Sequence, residues 1–108
     1  MVVESSHESN RLPDSSILIR VRLRITGKVQ GVYYRQNLKS IAKRNNICGW
    51  VRNISDGSVE AVLEGSKLSI ENIVSWSSNG PDGANVSSVT VTREPYEGDF
   101  SSFEITYD

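Results

Sequence analysis

Apolar and polar residues alternate from Ile17 to Ile25, with apolar side chains at 17, 19, 21, 23 and 25 and Arg20, Arg22 and Arg24 among the residues between. That period of two belongs to a strand with one covered and one wet face. Further along the period changes. Tyr34, Leu38, Ile41, Ala42 and Asn45 fall on one helical stripe, and Lys39, Lys43 and Arg44 gather towards its C-terminal end, where cations suit the helix dipole. Asn46 is placed to end that helix in the left-handed conformation. A second strand is expected from about Cys48 to Ile54, followed by a hairpin turn at Ser55-Asp56-Gly57 and a third strand in which Val59, Ala61 and Leu63 alternate. Ile70, Ile73 and Val74 mark a second helix between Ser66 and Ser78, stopped by Gly80-Pro81. Val89 and Val91 alternate with Ser88, Thr90 and Thr92 in a fourth strand, and Phe103, Ile105 and Tyr107 alternate in a short last one.

The order strand, helix, strand, strand, helix, strand predicts an α+β fold: a ferredoxin-like βαββαβ two-layer sandwich, its antiparallel sheet carrying both helices on one face. With 108 residues the chain supports one modest core, and the domain is expected over 17–108. Residues 1–16, mostly Ser, Glu, Asn, His, Asp and Pro, read as a disordered tail. They contain no apolar run of the length that a secretory signal or a membrane span requires, so no membrane partner is expected. His7, the only histidine, lies in that tail, where nothing fixes it as a catalytic base.

A formal net charge of −1 leaves no basic footprint for nucleic acid. The arginines of the first strand face Glu60 and Glu64 of the third as ordinary cross-strand pairs on a solvated face. An RNA-binding domain of this fold would need exposed aromatic and basic residues on its central strands, and arginines stand there without the aromatics. The single cysteine, Cys48, cannot form an internal disulfide, which suits a reducing, cytoplasmic setting. Set between Ile47 and Gly49-Trp50, it reads as a buried structural thiol, and with no second ligand near it neither a metal nor a cofactor is expected.

The chemistry concentrates in Gly27-Lys28-Val29-Gln30-Gly31-Val32-Tyr33-Tyr34-Arg35, between the first strand and the first helix. Two glycines permit positive φ and close backbone approach, so successive amides can converge on one anion as a nest. The helix start adds its dipole and its unpaired N–H groups. Arg35, on the first turn, adds a planar fork that matches phosphate in two-pronged fashion. By local pattern alone the same residues also suit a simple turn before a helix with a solvated arginine.

GKVQGVYYR resembles the signature of the acylphosphatase family, and Gly49-Trp50-Val51-Arg52-Asn53, followed by Asp56-Gly57, resembles that family's second signature. The resemblance runs over about residues 17–108. It implies the same sandwich and the metal-free hydrolysis of a carboxyl-phosphate anhydride, with a small-molecule acyl phosphate as partner of a monomeric enzyme. It also implies that Lys28, Val29, Gln30, Gly31, Val32 and Tyr33, with Arg35, hold the phosphoryl group, and that Asn53 orients the attacking water; Arg35 and Asn53 are then the catalytic pair. Tyr34 is assigned to packing and Tyr33 is left open. The alternative is a non-catalytic anion-binding or regulatory domain of the same fold, against which the presence of both Arg35 and Asn53 stands.

Overall fold

The alternating arginine segment becomes the longest strand of a five-stranded sheet. In the computed structural model, which describes residues 16–107, β1 spans Leu18–Lys28, α1 Tyr34–Arg44, β2 Cys48–Asn53, β3 Val59–Ser66, α2 Lys67–Ser77, β4 Asn85–Glu94 and β5 Phe103–Ile105. The tail expected over 1–16 lies almost wholly outside the described residues. The strand order is β4-β1-β3-β2-β5. The first four strands pair antiparallel, as the order of elements predicts, and the three-residue β5 runs parallel to β2.

Register decides the faces. Leu23 pairs with Ala61 and Val91, and Ala61 with Val51, which sets one apolar row across four strands. Both helices cover this side. Leu38 and Ala42 of α1 and Ile70 and Ile73 of α2 join Ile19, Val21, Leu23, Ile25, Val51, Leu63 and Phe103 in one buried cluster. Each fully buried Leu, Ile or Phe contributes about 1.5–3 kcal/mol by leaving water. Tyr34 belongs to this core, as expected: its ring lies 5.1 Å from that of Trp76, and its hydroxyl donates to the Ser77 carbonyl at 2.8 Å. The helix boundaries follow local chemistry too. Asn46 takes φ 57 just past α1, and the Ser66 hydroxyl caps α2 by accepting from the Ser69 amide.

The opposite face is less wet than the sequence predicts. Arg20 bonds Glu64 and Glu94, while Arg22 bonds Glu60 and Glu94, so the pairs expected with Glu60 and Glu64 form and Glu94 bridges them. The connection from β4 to β5 must travel from one edge of the sheet to the other, and it crosses over this face. Glu64 accepts the backbone N–H groups of Glu97 and Gly98, and Phe100 lies under the Arg20 guanidinium. Arg20 and Glu64 are consequently only 13% and 4% exposed. Cys48 pairs with Glu64, which places it on this same face, away from the helix layer. It is partly exposed rather than buried, because neither helix covers it.

Candidate active site

β1 runs three residues further than its apolar alternation, to Lys28. Gly27 sits at a register shift in the β1–β4 pairing with φ 116, and a Cβ there would fall 2.2 Å from the Asn85 carbonyl oxygen. Its glycine therefore serves the close approach of β4 and not that of a ligand, which corrects half of the expected loop. Lys28 continues the ladder opposite Asn85. The loop proper is reduced to residues 29–33, and within it Gly31 takes φ 77 and Tyr33 φ 62. Left-handed residues in so short a stretch turn backbone amides towards one side. Tyr33 is not glycine, so its conformation carries a steric cost of about 1–2 kcal/mol that the surroundings must hold.

This loop, the first turn of α1 and the end of β2 enclose a cleft of about 270 Å³ lined by Val29, Gln30, Gly31, Tyr33, Tyr34, Arg35, Gln36 and Asn53. Among the residues expected to bind phosphate, Val29, Gln30, Gly31, Tyr33 and Arg35 thus meet at one place with Asn53. Lys28 does not line the cleft, being held in the ladder, and neither does Val32, whose side chain packs partly buried against the core. Tyr34, assigned to packing, also reaches it, and Gln36 lines it without having been singled out. The signal for Gln36 was its position on the first turn beside Arg35.

The donors of the cleft are held open by the sequence around them. α1 has no side-chain cap at its N-terminus and no acidic residue in its first turn, so its dipole faces the cleft uncompensated. Arg35 has no carboxylate partner among the described residues, in contrast to Arg20 and Arg22; its guanidinium lies over the ring of Tyr107 at 5.2 Å. Gln30 spends its side chain on architecture. Its amide donates to the carbonyls of Ile54 and Ser58 at 2.8 and 2.9 Å, binding the loop to the β2–β3 hairpin. Both amide hydrogens are thereby spent, and the donor it keeps for a ligand is its backbone N–H.

Asn53 supplies the contrasting chemistry. It sits opposite Val59 on the helix-covered face, at the end of β2, and its Oδ1 is buried with no hydrogen-bond partner. An acceptor of this kind repels phosphate oxygens but accepts from a water molecule. Among the described residues no carboxylate or histidine lines the cleft, and Tyr34, whose burial pushes its hydroxyl up to about 12, stays protonated at neutral pH. Among the described residues no cluster of metal-ligating side chains occurs.

Comparison with known proteins gives a consistent picture. The family model described as Acylphosphatase matches residues 21–105. An acylphosphatase of Pyrobaculum arsenaticum is 49% identical over 89 residues, 82% of this chain and 94% of that protein. The solved acylphosphatase of Coxiella burnetii superposes with a TM-score of 0.79 at 35% identity, covering 82% of this chain and 93% of the other. That of Bacillus subtilis gives 0.80 at 31% identity, covering 84% and 100%.

Proposed function

This chain belongs to the acylphosphatase family, a family of hydrolases acting on acyl phosphates, and from that membership we propose how its cleft performs the reaction. The backbone amides of residues 29–33, the start of α1 and Arg35 hold the phosphoryl group. Asn53 orients a water molecule against the phosphorus. The P–O bond to the acyl group breaks with its electron pair on the departing carboxylate, and the water oxygen becomes the fourth oxygen of inorganic phosphate. With no carboxylate or histidine lining the cleft among the described residues, the proton passes to a phosphoryl oxygen of the substrate, which suffices for so good a leaving group. Donors aimed at the equatorial oxygens stabilise the charge that spreads over them in the transition state, so positioning and electrostatics supply the catalysis and no metal is called for.

One observation carries this division of labour: the buried, unpartnered Oδ1 of Asn53 shares a cleft with the Arg35 guanidinium and the uncapped start of α1. A site for an anion alone would have no use for such an acceptor, because leaving a carbonyl buried and unpaired costs about 1–3 kcal/mol. The regulatory, non-catalytic reading gains nothing from Asn53 and is set aside on that ground. We also assign the enzyme to the cytoplasm as a monomer, on its single cysteine and short single domain; among the described residues no helix is long and apolar enough to cross a membrane.

The test is turnover of benzoyl phosphate in the presence of a metal chelator, with inorganic phosphate as competitive inhibitor. Wild-type protein should hydrolyse it and be inhibited by phosphate, and Arg35→Ala should lose both properties. Hydrolysis no faster than the spontaneous rate would overturn the enzymatic reading.

A further inference from the structure

We propose that Tyr107 is a positioning residue for Arg35, a neutral aromatic shelf that aims the guanidinium into the cleft without neutralising it. The proposal rests on the reading of Arg35 as a phosphate ligand. Tyr107 lies beyond the stretch matched by the family model, which ends at residue 105, so nothing in that match assigns it a role.

The period-2 pattern of the C-terminal strand explains its place. Phe103 is buried in the core and Ile105 packs against it from the same side, so the next residue of the alternation, Tyr107, emerges on the helix-covered face. The Thr106 amide donates to the Val51 carbonyl at 2.9 Å, which carries the alignment with β2 one residue past the end of β5 and fixes where the chain leaves the sheet. There the core has ended and the first turn of α1 begins. The ring meets Arg35, with the guanidinium carbon 5.2 Å from its centroid. Tyr107 also borders a second cleft together with Asn53 and Ile54, so it stands beside both proposed catalytic residues.

The chemistry favours a ring over a carboxylate at this point. A long arginine side chain at a helix start has many rotamers, and an unrestrained one loses that freedom each time it binds phosphate. Arg20 and Arg22 are held by glutamates, which also cancel their charge. At Arg35 a carboxylate would compete with the phosphoryl oxygens for the same fork. An aromatic face attracts the cation through its quadrupole, yet adds no net charge. Tyr107 is 79% exposed, so it contributes little to the core and its removal leaves the fold intact.

Kinetics of Tyr107→Ala, Tyr107→Phe and Tyr107→Glu, each with phosphate inhibition and a thermal melt, test the shelf. In Tyr107→Ala, kcat/KM should fall about two- to fivefold and the phosphate inhibition constant should rise by a similar factor, the size of an exposed cation–π contact, with Tm unchanged. Tyr107→Phe should recover what Ala loses, because the face of the ring is what acts. Tyr107→Glu should weaken phosphate binding more than Ala does. Wild-type behaviour of Tyr107→Ala, or a Phe variant as impaired as Ala, overturns the shelf alone provided Arg35→Ala has lost activity and phosphate binding. If Arg35→Ala keeps both, the phosphate-ligand reading fails and the shelf fails with it.

Discussion

Asn53→Ala should make the protein as stable as before, or more so, while nearly abolishing turnover. The side chain of Asn53 makes no hydrogen bond among the described residues, and its Oδ1 is buried without a partner. Removing that carbonyl relieves a cost of about 1–3 kcal/mol. Against this stands the loss of a few side-chain contacts at a strand end, roughly 1 kcal/mol or less for one position of a sheet. The net change lies between about zero and +3 kcal/mol. For a domain of this size each kcal/mol moves Tm by about 4–8 °C, so the melt should be unchanged or several degrees higher. Turnover of an acyl phosphate should drop by about 10²–10³, the loss typical when one positioned hydrogen-bonding group leaves an active site. Competitive inhibition by inorganic phosphate should persist, since the loop and Arg35 remain. A melt lowered by more than about 5 °C would show that the carbonyl has a structural partner. Turnover within tenfold of wild type would remove Asn53 from the chemistry, and a folded variant blind to phosphate would make it part of the cradle.

Arg35→Lys should be nearly as inactive as Arg35→Ala, because a point charge cannot reproduce a two-pronged contact; an active Lys variant would show that charge alone suffices. Gln30→Met should lower kcat/KM about tenfold by freeing the loop from the hairpin that carries Asn53, at a stability cost of only about 1–2 kcal/mol, since the Ile54 and Ser58 carbonyls keep the backbone donors Gly57 and Ile54. Unaltered kinetics with a lowered melt would make that bond purely structural. Gly27→Ala should destabilise the fold by at least about 2 kcal/mol, as its Cβ would meet the Asn85 carbonyl at 2.2 Å; a melt within 2 or so degrees of wild type would refute the close approach. Acid should unfold the protein early. Burial opposes ionisation of Glu60, but the bonds from Arg52 and Arg22 outweigh it, and those from Arg22 and Arg20 hold Glu94 likewise below the ordinary 4.5. The stability from these carboxylates is complete above that value and is lost as pH falls through the lowered folded values, so Tm should decline below about pH 4.5 and more shallowly in Glu60→Gln.

What could be read directly from the chain was whatever depends on neighbours in sequence. The alternation of β1, the stripe of α1, the hairpin at Asp56-Gly57 and the left-handed Asn46 are all set by residues within a few positions of each other, where periodicity and turn chemistry act. Two motifs in register, one at residues 27–35 and one at 49–53, sufficed to name Arg35 and Asn53, which the fold brings to one cleft because β1 and β2 both flank β3. Tertiary structure decided the rest. The bulge at Gly27 draws Lys28 into the ladder through contacts with β4, almost sixty residues on, and so moves the loop's beginning. Gln30 turns its side chain to carbonyls 24 and 28 residues away, Glu94 joins two arginines from 74 and 72 residues away, and the β4–β5 connection roofs a face that its own alternation marks as wet. No local pattern encodes such contacts: they follow from strand order and register, which are settled by the free energy of the whole core. The unpartnered carbonyl of Asn53 and the ring beneath Arg35 belong to this second kind, since only the assembled sheet determines which polar atoms it leaves facing one another.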